Sequence, residues 1–242
     1  TIIHDALARF VMEGHDPMAS DALQTLMTIA DEAFSGLEAI GERRDIWLKR
    51  FATAASQFLA FERERNDRVR KRHAEIKGDM PLALSEPFRI TGQADRVDEM
   101  EDGTLEILDF KTGSSPSKAQ AHTLLSPQLA LEGALLMRGA FEHAGQGTPA
   151  ELAHVRLQAH GAVIGESNRE YNRQFKSAEQ LSAEAWERLE HLIAYYGAES
   201  NGYLSRSLPF RDGNVGGYYD HLARVLEWSA GGDGADAGGE AE

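Results

Sequence analysis

Over the first 78 residues, apolar side chains recur at helical spacing. Ile3, Leu7, Phe10 and Val11 make one stripe, which Gly14 is placed to stop. A second helix is expected from Ser20, an N-cap candidate followed by Asp21, to Gly36. A third, longer one begins near Gly41 and turns Trp47, Phe51, Ala54, Phe58 and Phe61 toward a core. It is expected to continue through FERERNDRVRKRHAEIKG, where Arg63, Arg65, Arg68, Arg70, Lys71 and Arg72 alternate with Glu62, Glu64 and Asp67. Such a stretch reads as a solvated face carrying i,i+4 ion pairs, or as a local basic strip against a phosphate backbone.

From Leu82 the period changes to two. Leu84–Ile90, Gly92–Glu99 and Leu105–Lys111 read as three strands, punctuated by Pro81 and Gly92. The third carries Leu105 and Ile107 on one face and Leu108 and Phe110 on the other, the mark of a strand covered on both sides. After a polar loop, Pro127 opens the helix QLALEGALLMRGAF, and Leu152–His160 alternates like another strand. Ser177–Tyr196 is an amphipathic helix with a capping box, Ser177 with Gln180. A short helix, YDHLARVLEW, follows. No internal repeat is visible. The order predicts one α/β domain: a helical front (1–78), an α/β core (79–200), an extension to 229 and a disordered acidic Gly/Ala tail over 230–242.

Composition narrows the function classes. The 242 residues are 42% apolar, ample for such a domain, and contain no apolar run long enough to span a membrane. The first residues do not resemble a signal peptide and begin without Met inside a helical pattern, so the chain reads as part of a longer cytoplasmic protein. The absence of cysteine excludes disulfides, zinc–thiolate sites and iron–sulfur ligation by these residues. The net charge is −14, and −10 once the four acids of the tail are removed. A free-standing, non-specific nucleic-acid binder would be basic. If this chain handles a polyanion, a partner or a local patch must supply most of the attraction.

The chemistry concentrates in GQADRVDEMEDGTLEILDFKTG, residues 92–113. Asp109 and Lys111 are two apart in a strand, so their side chains point the same way. A two-residue turn at Asp102-Gly103 would put Asp95 opposite Phe110. A three-residue loop from Glu101 to a left-handed Gly103 puts Asp95 opposite Asp109, and that loop, or an equivalent bulge, is expected. Two facing carboxylates call for a hard cation, Mg²⁺ or Mn²⁺, which the Phe110 carbonyl could also ligate. Lys111 would then orient a water or stabilise developing charge. The plainer reading pairs Asp95 with Arg96 and Asp109 with Lys111 as strand-end ion pairs.

These segments, Gly92-Gln-Ala-Asp95-Arg96-Val-Asp98 and Ile107-Leu-Asp109-Phe-Lys111-Thr-Gly113, resemble motifs of the RecB-type branch of the PD-(D/E)XK nuclease superfamily. His4 in TIIHDAL matches that branch's upstream metal-binding histidine, and Gln128 in SPQLALEGALL its helical glutamine. The motifs cover about residues 1 to 132. With the weaker YYDHLARVLEW similarity, which carries it to about 229, the chain most resembles the C-terminal nuclease domain of alphaproteobacterial AddB proteins. The resemblance implies a restriction-endonuclease-like mixed β-sheet flanked by helices. It implies a Mg²⁺-dependent exonuclease acting on single DNA strands from an unwound duplex, beside an AddA-like helicase–nuclease subunit and the rest of its own chain. Asp95 and Asp109 would hold the metal with His4, Lys111 would serve the attacking water, and Gln128 would steady the site or touch DNA. Arg96 and Glu86 are weaker candidates for site support. The other class of function it leaves open is a catalytically silent domain with a structural or DNA-guiding role. The sequence departs from the family at Glu132, where a tyrosine is frequent, and in lacking the cysteines that carry an iron–sulfur cluster in many such domains. An S-x-x-K near a K-T-G and a lone E-x-x-H at Glu151–His154 lack the order or the second copy that serine-hydrolase or di-iron chemistry needs. No Walker A is present.

Overall fold

The structure, a computed structural model, describes residues 2–35, 44–82, 88–157 and 164–202. Glu86, half of the expected Leu84–Ile90 strand, the YDHLARVLEW helix and the acidic tail lie outside them. Three helices come first: α1 (Ile2–Met12), α2 (Ala22–Ser35) and α3 (Arg44–Arg65). Gly14 takes φ +74° just past α1, a left-handed position that favours glycine.

The third helix stops earlier than its pattern predicts. Arg65 ends it, and β1 (Val69–Leu82) begins in the charge-dense stretch expected to be helical. The reason is tertiary: β1 pairs antiparallel with β2 (Phe88–Met100) from Val69–Met100 to Leu82–Phe88, so ladder hydrogen bonds replace helical ones. Gly92 interrupts nothing, since β2 runs straight through it.

β3 (Leu105–Lys111) pairs antiparallel with β2 and parallel with β4 (Pro149–Arg156), and β5 (Ile164–Ser167) closes the far edge. The sheet order is β1-β2-β3-β4-β5. Between β3 and β4 the chain crosses over through α4 (Lys118–His122) and α5 (Gln128–Met137). The small α4 carries its own capping box, Ser117 with Gln120, inside what reads as loop. A two-residue-strand hairpin, β6 (Glu170–Tyr171) and β7 (Gln174–Phe175), turns through Asn172 and Arg173, both at positive φ. The Ser177–Gln180 box caps α6 (Ala178–Gly197) as expected, with reciprocal bonds of 2.8 and 3.0 Å.

One face of β3 and β4, with Leu108, Phe110, Ala153 and Val155, packs into a core built by α1, α2 and α3. There Phe110 meets Phe58 and Phe61 edge-on, at centroid distances of 5.6 and 6.1 Å. The other face carries Ile107 and Leu152, fully buried on the α5 side. Gly133 of α5 has no room for a side chain, because a Cβ there would collide with Ser182 Oγ and meet Leu152 Cδ2 at 3.3 Å. The result is a mixed β-sheet flanked by helices, with a helical front end, as in restriction-endonuclease-like folds. Residues 1–191 form one compact unit and Leu192–Glu242 a second, of which 192–202 are described. Among the described residues no helix is long and apolar enough to cross a membrane.

Candidate metal centre

The hairpin between β2 and β3 sets the site. Its ladder runs from Glu99–Leu105 to Arg96–Leu108, and the Met100 N–H donates to the Thr104 carbonyl at 2.9 Å, which leaves the three-residue loop Glu101–Gly103, with Gly103 at φ +84°. Asp102 Oδ1 accepts from the backbone N–H and the hydroxyl of Thr104, holding the loop shut. The expected loop therefore forms, and one further step of its register brings Asp95 opposite Asp109.

At that step the two strands stop exchanging backbone hydrogen bonds. Asp95 Oδ2 instead accepts the Phe110 N–H at 2.9 Å and lies 3.4 Å from His4 Nδ1 on α1. Asp109 keeps its register but turns to α5, where Gln128 Nε2 donates to its Oδ1 at 3.0 Å. The opposed acids thus have different helical partners.

Donor atoms of His4, Glu75 and Asp95 all lie within 4.8 Å of one another, a set able to hold one divalent cation. These three, with Leu7, Ala8 and Phe110, line a cavity of about 10 Å³, room for a single ion or water. Burial works to raise Asp95, but His4, the Phe110 N–H and the Lys111 charge outweigh it and keep it ionised below its ordinary range. Burial pushes Glu75 up, and the Asp95 charge adds to the effect. The donor set fits a hard cation, because positive charge between these acids would offset the burial and the repulsion that together hold Glu75 up.

Glu75 was not a sequence candidate. It sits in the middle of β1 with φ +50°, and its carboxylate accepts a hydrogen bond from the Gln93 amide. A left-handed non-glycine residue costs about 1–2 kcal/mol, and such strain gathers where a side chain must be aimed. The available signal was the alternation Ala74–Glu75–Ile76, hidden because the charged run before it continues a helical pattern.

Asp109 stands outside the group of three. Lys111 Nζ donates to its Oδ1 at 2.8 Å and lies 2.7 Å from Oδ2, so ammonium and amide carry its charge. Burial, reinforced by the nearby Asp95, nevertheless raises its pKa against the pull of Lys111. Gln128 also donates to Glu132 Oε1, one turn along α5, at 3.1 Å. Across the parallel ladder, Asp109 neighbours His154, whose Nδ1 is 3.1 Å from Asn168 Oδ1. Burial holds that imidazole below its ordinary value.

Arg96, a candidate for site support, lines the cavity beside His4, Glu75 and Asp95. It is 1% exposed and paired with Glu62 of α3, with its Nε 3.0 Å from Asp98 Oδ1. Arg72 and Arg65 complete that network on Glu62 and Asp98 at 2.6 and 2.7 Å. The charge-dense segment, read as a solvated face or a basic strip, is thus partly an internal scaffold joining α3, β1 and β2. Arg96 does not pair with Asp95, whose partner is His4.

Residues 1–203 match the sequence profile of the PD-(D/E)XK nuclease superfamily. An uncharacterized protein of Rickettsia felis is 27% identical over 151 residues, covering 61% of this chain and 18% of that protein. One from Rickettsia bellii is 27% identical over 140 residues, covering 57% and 17%. The chain thus spans less than a fifth of the length of these relatives. The solved protein SSO0001 aligns over 79% of this chain and 84% of its own, at 10% identity and a TM-score of 0.32, too loosely to bear on the fold.

Proposed function

The chain belongs to the PD-(D/E)XK nuclease superfamily, and we propose that it is the metal-dependent exonuclease module of an AddB-like subunit. In this reading it hydrolyses phosphodiesters in single DNA strands delivered by an AddA-like helicase partner during double-strand-break repair. The observation that carries it is the adjacency of two groups: the His4–Glu75–Asp95 donors and the Asp109–Lys111 pair, one register step across the hairpin.

Mg²⁺ or Mn²⁺ would be held by His4, Glu75 and Asp95, with Asp109 and the Phe110 carbonyl joining. Such a cation supplies a Lewis acid for the phosphoryl oxygen and a more acidic water. The chain's own residues do the rest. Asp109, which lies opposite Asp95 across the hairpin, would add its carboxylate to the set. Lys111, held beside Asp109 at 2.8 Å, would donate to the attacking water or to the non-bridging oxygen that gains charge. Gln128, which donates to Asp109 Oδ1, would keep that carboxylate aimed. The acidic composition, net charge −14, accords with a module to which DNA is delivered rather than one that captures it.

The test is cleavage of end-labelled single-stranded DNA with Mg²⁺ or Mn²⁺ by wild type, Asp109→Ala and Lys111→Ala. Loss of at least a hundredfold in both variants is expected. Equal cleavage by all three would overturn the reading.

A further inference from the structure

Glu132 is an acid where the packing leaves least room for one. It is 5% exposed, and its Oε2 is buried with no hydrogen-bond partner among the described residues. The helix is closely packed beside it, since a Cβ at the adjacent Gly133 would collide with Ser182 and meet Leu152. An uncompensated buried carboxyl costs stability, and an i,i+4 hydrogen bond to Gln128 returns only about 0.2–0.5 kcal/mol. A side chain that weakens the core at this point calls for another role.

Its one partner indicates that role. Gln128 has a single –NH₂ group with two hydrogens, and both are in use: one to Asp109 Oδ1 at 3.0 Å, the other to Glu132 Oε1 at 3.1 Å. With an acceptor for each hydrogen, the amide plane is fixed. Turned over, the amide would set its oxygen against the Asp109 carboxylate. Without Glu132 the terminal torsion of Gln128, intrinsically broad, has only Asp109 to define it.

We propose that Glu132 is a positioning residue, which fixes the Gln128 amide and through it the orientation of the Asp109 carboxylate. This deepens the nuclease reading and rests on it. Burial, with the charges of Asp109 and Asp95, pushes Glu132 up to about 8 against the hydrogen bond from Gln128. At neutral pH it accepts from the amide without adding a second negative charge beside Asp109. The chain Glu132–Gln128–Asp109 is then an outer support for a metal-binding carboxylate, the kind whose removal lowers metal affinity about 10–100-fold.

The experiment measures Mn²⁺ binding to the 242-residue chain by electron paramagnetic resonance of the free ion. Wild type is compared with Glu132→Met, Glu132→Gln, Gln128→Leu and the Glu132→Met/Gln128→Leu double variant, with melting temperatures alongside. Glu132→Met is expected to weaken binding about tenfold while its melting temperature holds or rises, since a buried unpaired carboxyl has been replaced by an apolar chain. Glu132→Gln, which keeps an uncharged acceptor, should recover most of that loss. The double variant should bind no worse than Gln128→Leu alone, because the two residues act in series. Unchanged Mn²⁺ affinity in Glu132→Met, or losses that multiply in the double variant, would overturn the proposal while leaving the nuclease reading intact. If Glu132→Met does not fold, Glu132→Gln decides, and affinity lost there as well would overturn the acceptor role. A wild type that binds no Mn²⁺ would overturn both.

Discussion

The Phe110 N–H donates to Asp95 Oδ2 at 2.9 Å, where the β2–β3 ladder has ended. A side chain of one strand thus satisfies a backbone donor of the other, and the Asp95 carboxylate is tied to the strand that carries Asp109. Beyond it Asp95 meets His4 of α1, while Asp109 meets Gln128 of α5.

Glu75 combines strain with a donor oxygen, and the two can be separated. Glu75→Ala keeps the left-handed backbone and loses the carboxylate; Glu75→Gly loses the carboxylate and relieves the backbone. Both should weaken Mg²⁺ binding by at least tenfold in calorimetric titration. Glu75→Gly should be the more stable of the two by about 1 kcal/mol in urea denaturation. Equal stability would show that the left-handed conformation stores no strain.

Metal affinity should rise with pH. In the ion-free protein burial raises both Glu75 and Asp109, so each keeps its proton above the ordinary carboxylate range, and a cation must displace those protons. Titrations at pH of about 5, 6 and 7 are expected to show progressively tighter Mg²⁺ binding with proton release. A flat profile would mean that neither acid is a ligand.

Glu132 makes stability fall with pH. Its folded value of about 8 lies above its ordinary 4.5, so between the two the native state binds more protons than the unfolded chain. Stability is therefore full at the acid end of this window, declines as pH rises through it by up to about 1.4 kcal/mol per unit, and levels off above it. Glu132→Gln should abolish that slope, so its advantage over wild type in urea denaturation grows from pH about 5 to about 8. Parallel curves would place an ionised Glu132 in the folded protein.

Arg96 should matter to folding and not to DNA. Glu62 and Asp98 retain Arg72 and Arg65 when it is removed. Arg96→Met is therefore expected to cost about 3 kcal/mol, the low end for a buried pair that loses one member. DNA affinity of the folded protein should be unchanged, since the side chain does not reach the surface. A specific loss of DNA binding at full stability would instead make Arg96 a substrate-binding residue.

What the sequence determined by itself is local or periodic. The helical stripe of α1, the Ser177–Gln180 box of α6, the apolar faces of β3 and the loop closed by Gly103 each depend on a few neighbouring residues and a fixed backbone period. His4, Asp95, Asp109, Lys111 and Gln128 were legible as a set through the motifs. Tertiary structure decided what depends on residues far apart in the chain. β1 is a strand because β2 offers a ladder to a segment whose charges suit a helix equally well. Arg96 is internal because Glu62, brought by α3, lies behind it. Glu75 becomes a donor only when β1 lies beside Asp95 and beneath His4. Asp109 and Glu132 share one amide only because α5 crosses the end of β3. Period and propensity fix which way a chain runs locally, whereas the placing of a charge beside its partner belongs to packing between elements.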